Sequence, residues 1–231
     1  GGYKSYRQYI RQAFTRQSKI IILGGSTGSS KTEILHQLKI QGEQILDLEK
    51  FANHKGSVFG SLGQEVQPTN EQFENELYED WSGFDPEKHL WIEDESRSIG
   101  LVKIPDPLFS QMNLSPMIQI DMNKEERINR LVKEYALFQS TELKNAFEKI
   151  AEKLGGARLA LALSAIDQAD FSTAANLALA HYDKSYQYAI SKRLNREIHE
   201  INLEKDAPAE NALILKEIAK NLDTKNYDSN H

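Results

Sequence analysis

With 231 residues, 28 Lys+Arg against 34 Asp+Glu, a formal net charge of −6 and no cysteine, the chain is long enough to bury a core and fits one α/β domain with helical additions better than two equal domains. The missing cysteine excludes disulfides, thiolate metal sites and a cysteine nucleophile within these residues. No apolar run reaches membrane-spanning length and no signal-peptide pattern is present, so a cytoplasmic protein without a membrane partner is expected, and the acidic total excludes nucleic-acid binding by bulk charge while allowing a local basic face.

Tyr6, Ile10 and Phe14 recur at four-residue spacing and predict a helix ahead of the first strand, so residues 1–18 read as a lead-in helix and linker. The strand Ile20-Ile21-Ile22-Leu23 follows, then the loop Gly24 to Thr32, then a helix carrying Ile34, Leu35 and Leu38. A second strand, Gln44 to Leu48, opens into the polar segment Asn53 to Gln64, which keeps no period and reads as a functional loop. Thr69 predicts a helix cap with Gln72 reaching back to it, and Phe73, Leu77 and Trp81 stack along one face before Gly83 and Pro86 end the helix. The third strand is Leu90 to Glu93 and the fourth Met117 to Ile120, with helices from about Lys124, Thr141 and Ser172. Strands alternating with helices predict a parallel sheet covered on both faces. The expected fold is therefore α/β, a P-loop NTPase-like parallel sheet flanked by helices over residues 19–195. A charged helical C-terminal extension fills 196–231, and its polar tail, Lys225 to His231, reads as partly disordered.

The loop after the first strand carries the clearest chemistry. Gly25, Ser26, Thr27, Gly28, Ser29, Ser30, Lys31 and Thr32 follow the Walker A pattern G-x-x-x-x-G-K-[ST] at every fixed position but one. Small residues let backbone amides curl round an anion, the helix N-terminus adds positive dipole, and Lys31 reaches the outer phosphate oxygens. Thr32 offers a hydroxyl for Mg²⁺, should the ion be used. Ser30 stands where the second glycine is expected, and its side chain is predicted to crowd the phosphate.

An apolar strand ending in Glu93-Asp94-Glu95-Ser96-Arg97 is the second feature. A carboxylate at such a strand end sits beside a phosphate loop and holds magnesium or a water there. Asp94 is the first choice for this catalytic and metal-binding role and Glu93 the second; alternation along a strand prevents both from aiming at one ion.

The runs Gly1-Gly2-Tyr3-Lys4, Gly24 to Thr32, Gly42-Glu43-Gln44 with Leu46-Asp47-Leu48-Glu49, Ala52-Asn53-His54-Lys55-Gly56-Ser57, Gln72-Phe73-Glu74-Asn75 and Glu93 to Arg97 with Ile99-Gly100, in this order and spacing, resemble tRNA 2-selenouridine synthase. The resemblance extends to about Lys192. It implies the C-terminal P-loop domain of a two-domain transferase whose N-terminal rhodanese-like domain, bearing an essential cysteine, is missing from these residues. It further implies a tRNA-modification reaction at the wobble 2-thiouridine: a geranyl group passes from geranyl diphosphate to sulfur, and the full enzyme then replaces the geranylated sulfur with selenium from selenophosphate. Lys31 and the loop amides would hold the diphosphate, and the tRNA anticodon arm and the rhodanese domain would be the partners. Two other classes stay open: a small-molecule kinase or NTPase using Asp47 or Asp94 as base or metal ligand, and a non-catalytic tRNA-docking module indifferent to Lys31.

Further candidates rest on position. Asn53, His54 and Ser57 sit in the polar loop and read as substrate contacts. Arg97 would pair with a phosphate or with Asp94, and Arg158 and Arg193 are candidates for tRNA. The run Lys124, Arg127, Arg130, Lys133 reads as a solvated helix face rather than a phosphate-binding one, and Tyr182, Tyr186 and Tyr188 read as packing residues rather than base-stacking ones.

Overall fold

A computed structural model describes residues 2–192 and 196–228. Helix α1 (Tyr3–Ala13) presses Ile10 and the following Phe14, both fully buried, against Phe73, Leu77 and Trp81 of α4 (Asn70–Gly83). The Trp81 indole N–H donates to the Ala13 carbonyl at 3.0 Å, which fixes the lead-in helix to the domain. Thr69 caps α4 as expected, accepting from the Gln72 amide at 3.2 Å, but the Gln72 side chain turns to Glu76 rather than back to the cap.

Five strands form one sheet in the order β2 (Gln44–Leu46), β3 (His89–Glu93), β1 (Lys19–Gly25), β6 (Met117–Met122), β7 (Ile198–Leu203). All four pairings are parallel, with Ile22 opposite Ile92 on one side and Met117 on the other. Alternate residues of β1 supply the two faces. Ile20 and Ile22 join α1, α4 and Leu108 and Met112 of α5 (Asp106–Leu114); Ile21 and Leu23 join Ile34, Leu35 and Leu38 of α2 (Lys31–Ile40) and Leu215 and Ala219 of α11 (Pro208–Asp228). A two-stranded antiparallel hairpin, β4 (Ser98–Ile99) and β5 (Val102–Lys103), stands apart. The layout is that of a P-loop NTPase-like domain.

Between β6 and β7 the chain builds a helical layer with a core of its own. Helices α6 (Lys124–Tyr135), α7 (Ser140–Lys149), α8 (Ala151–Leu154), α9 (Gly156–Asp167) and α10 (Phe171–Ser191) enclose Tyr135, Phe147, Ile166 and Leu179. The C-terminal helix is present as α11, but the segment from 196 is not all helix. Strand β7 pairs along the whole of β6 and α11 packs on α2, so these residues complete the sheet and its cover. The polar residues His199, Glu200 and Asn202 of an edge strand hide this in the sequence. The second strand also ends sooner than Leu48, because Asp47 caps a short helix, α3 (Leu48–Ala52), by accepting from the Lys50 amide at 2.9 Å. Of the expected disordered tail, α11 covers 225–228 and residues 229–231 lie outside the described residues, as does Arg193.

Candidate functional site

Parallel strands bring their carboxyl ends to one edge, where ligands of open α/β sheets collect. At that edge β1 delivers the Gly25 to Thr32 loop, β3 delivers Glu93, and α3, directly after β2, delivers Glu49. Together they line a cleft of about 370 Å³, roofed by α6 and α10 of the helical layer.

The loop is held by several contacts. Ser29 Oγ donates to the Ser26 carbonyl at 2.7 Å, and Arg127 Nε donates to the Thr27 carbonyl at 2.8 Å. Lys31 Nζ folds back on the Gly25 and Ser26 carbonyls at 2.8 and 3.3 Å, inside the concavity an anion would enter. Thr32 Oγ1 donates to Glu49 at 3.2 Å. Ser30 caps α2 in the left-handed region at φ 60°, a conformation that glycine adopts freely. Its hydroxyl donates to Asp206 rather than crowding the loop. In the free protein the hydroxyl is thus engaged by a residue outside the loop. Ser30→Gly would relieve a left-handed backbone worth about 1–2 kcal/mol and lose a hydrogen bond to a carboxylate worth about 1.5–3 kcal/mol, stability effects that largely offset and leave the loop's shape in place. Diphosphate affinity, read by calorimetry, should accordingly change by less than about threefold; a tenfold gain would restore the crowding explanation.

Three carboxylates face this loop. Oxygens of Glu49, Glu93 and Glu95 lie within 4.8 Å of one another. Burial pushes each up to about 8; repulsion from Glu95 adds to this for Glu49, from Glu49 for Glu93 and from Glu93 for Glu95, while Lys31 pulls all three down. Glu93 is 1% exposed, and its Oε1 is buried with no hydrogen-bond partner. The polar loop lies on the cluster at Gly56 (φ +65°), where a Cβ would stand 2.7 Å from Glu95 Oε1 and 3.0 Å from Glu49 Oε1. Glycine is thus required both for the backbone and for the close approach.

Asp94, the first-choice carboxylate, stands outside this cluster of three. It touches the cleft, but its amide continues the pairing to the Leu23 carbonyl and its carboxylate faces Arg196 at 3.6 Å. Strand alternation turns Glu93, not Asp94, toward Thr32 and Glu49. Asp47 is engaged too, as the α3 cap and with His36 Nε2 at 2.6 Å.

The other candidates divide. Ser57 lines the cleft, its Oγ accepting from the Phe59 amide at 3.2 Å. Asn53 ends α3 in the left-handed region and donates to the Val66 carbonyl at 3.1 Å, a structural role outside the cleft. His54 packs beside Gly60, and burial followed by the nearby Lys149 charge lowers its pKa. Arg97 pairs with Asp106 rather than Asp94, and Arg158 is exposed on α9; neither lines the cleft. The run on α6 divides: Lys124 and Lys133 are exposed as expected, whereas Arg127 is buried against Asp183 and Arg130 turns into the cleft wall. Tyr182 is a packing residue as expected, taking the Val58 amide on its hydroxyl at 3.3 Å, while Tyr186 accepts the Gly25 amide at 2.7 Å. Tyr188 is exposed, with Lys192 Nζ 5.1 Å from its ring centroid.

The cleft lining also carries an apolar and aromatic set, Phe59, Leu62, Leu131, Tyr135, Phe138 and Tyr182. Phe59 of the polar loop is wedged among Tyr135, Phe147 and Tyr182 at ring-centroid distances of 5.4, 5.1 and 6.2 Å. Sequence reading missed Glu49, Glu95, Arg130 and this set; only the Leu46-Asp47-Leu48-Glu49 alternation past β2 hinted at one of them.

A family model described as the tRNA 2-selenouridine synthase AAA domain matches residues 18–207. Among curated proteins named tRNA 2-selenouridine synthase, one from Hydrogenovibrio crunogenus is 32% identical over 225 residues, covering 84% of this chain and 61% of the relative. One from Pseudomonas fluorescens is 34% identical over 167 residues (67% and 43%), and one from Shewanella sediminis 40% identical over 140 residues (58% and 37%). The chain thus spans about three-fifths or less of the length of these relatives. A solved structure from work on the PezAT toxin–antitoxin system of Streptococcus pneumoniae is similar at TM-score 0.30 and 19% identity, covering 83% of this chain and 94% of that one, a distance at which the likeness decides nothing.

Proposed function

The chain belongs to the tRNA 2-selenouridine synthase family, and from that premise we propose that it is the donor-binding part of a tRNA-modifying transferase that takes geranyl diphosphate. The observation that carries this reading is the mixed lining of the cleft: the glycine-rich loop with Lys31, and an apolar and aromatic set that includes Phe59, Leu62, Leu131 and Phe138. A diphosphate joined to a branched hydrocarbon matches both kinds of lining.

In the reaction, the sulfur of wobble 2-thiouridine in the tRNA anticodon arm forms a bond to the allylic carbon as the C–O bond breaks, and the electron pair leaves with diphosphate. Lys31 and the amides from Gly28 to Thr32 stabilise the charge that grows there. The Thr32 hydroxyl and the Glu49, Glu93 and Glu95 carboxylates suit a hard cation, and the orphaned Glu93 Oε1 supports that fit. Mg²⁺, when bound, would supply further charge neutralisation at the diphosphate. Selenium from selenophosphate belongs to the later step of the full enzyme, for which the rhodanese-like domain would provide the cysteine lacking in these residues. Lys55 lines the cleft, which Arg97 and Arg158 do not, and is the first tRNA contact this reading selects.

Calorimetry tests the ligand class. Geranyl diphosphate should bind more tightly than ATP. Tighter ATP binding with measurable hydrolysis would replace this reading with that of a kinase or NTPase.

A further inference from the structure

Arg130 stands in the cleft wall in an arrangement that a merely structural ion pair does not need. Its guanidinium meets three carboxylates: Glu33 of α2, Asp206 at 3.0 Å, and Glu134 at 3.8 Å. One cation thus faces three anions. Its side chain is 15% exposed, so the excess negative charge is only partly relieved by water, and Lys55 reaches no nearer to Glu134 than 3.9 Å. The same Asp206 oxygen that takes the Ser30 hydroxyl also takes Arg130 Nη1 at 3.2 Å. Arg130 is therefore bridged to the phosphate loop through a single shared atom.

Glu93, Glu95 and Glu49 face the loop and offer an anion no positive charge, and besides Arg130 the cations lining the cleft are Lys31 and Lys55. A diphosphate entering there gains from a further cation, and Arg130, which lines the cleft, is the guanidinium that can turn to it at the expense of its carboxylates.

Resting on the reading of this cleft as a diphosphate site, we propose that Arg130 is a second phosphate-binding group, held on Glu33, Glu134 and Asp206 in the free protein and transferred to the outer phosphate when the anion binds. The carboxylates then set the affinity by competing for the same guanidinium.

Inorganic pyrophosphate is the probe, titrated into the parent chain, Arg130→Met, Glu33→Gln and the double variant. Arg130→Met should weaken binding about five- to tenfold, and Glu33→Gln should tighten it about two- to threefold by releasing the arginine. In the double variant the gain from Glu33→Gln should vanish. Equal tightening in both backgrounds would mean that Glu33 acts as a bulk charge, and would overturn the proposal. So would unchanged affinity in Arg130→Met with only a lowered Tm. Lys31→Ala separates the two readings: pyrophosphate binding that depends on Lys31 but not on Arg130 overturns this inference alone, whereas no binding by the parent chain overturns both.

Discussion

Lys31→Ala is expected to weaken geranyl diphosphate binding by about 1.5–3 kcal/mol, roughly ten- to a hundredfold, the range for a hydrogen bond to a charged group. In the free protein Lys31 Nζ rests on the Gly25 and Ser26 carbonyls, contacts that an entering phosphate oxygen would replace with a stronger, charge-assisted one. The variant also removes the cation that pulls down Glu49, Glu93 and Glu95, so the carboxylate cluster holds its protons to higher pH, which offsets only part of the lost positive charge. The loop itself should persist. Arg127 still holds the Thr27 carbonyl, and Ser29 still closes on Ser26. Affinity measured by calorimetry should therefore fall while Tm stays close to that of the parent. An affinity that did not change would move the ligand out of this cleft.

What the sequence disclosed follows from how local each signal was. The run from Ile20 to Leu38 declared strand, loop and helix because apolar continuity, glycine spacing and helical period changed within 20 residues, and the structure bears all three out. Helix α4 was legible from its Thr69 cap for the same reason. Strand β7 was not. An edge strand carrying His199 and Glu200 needs only the neighbouring β6 to complete its hydrogen bonds, and no local pattern records that neighbour.

The site was legible only on the loop side. Lys31 and Thr32 are fixed by a contiguous motif, whereas choosing Asp94 over Glu93 required knowing where the strand stops alternating. Glu49 became a cluster member because Asp47 turns the chain into a five-residue helix directly after β2, and Arg130 entered the cleft because α6 is roofed over a loop 100 residues earlier in the chain. Charge runs read from helical spacing show which residues share a face; they do not show what that face meets.

Glu93→Gln is expected to stabilise the protein at alkaline pH and to have little effect at acidic pH. Glu93 in the folded protein is pushed up to about 8 from an ordinary 4.5, by burial first and by Glu49 next. A carboxyl raised in this direction takes up a proton on folding, so stability is fully present below about pH 4.5 and is lost as pH rises through about 8. Glutamine cannot ionise, and its amide can donate to Glu49 or Glu95, which also eases the repulsion holding those two up near 8. At pH 9 the variant should gain at least about 1 kcal/mol, or about 2–4 °C in Tm for a domain of this size, with the difference closing by pH 5. Excess Mg²⁺ should reverse the order at pH 9, because an ion bound to the three folded carboxylates stabilises the parent more than a variant that keeps two of them. Thermal melts at pH 5 and pH 9, with and without Mg²⁺, decide the matter. A pH-independent difference between parent and variant would mean that Glu93 is not held near 8 by its neighbours, and an equal response of both proteins to Mg²⁺ would remove Glu93 from the cation site.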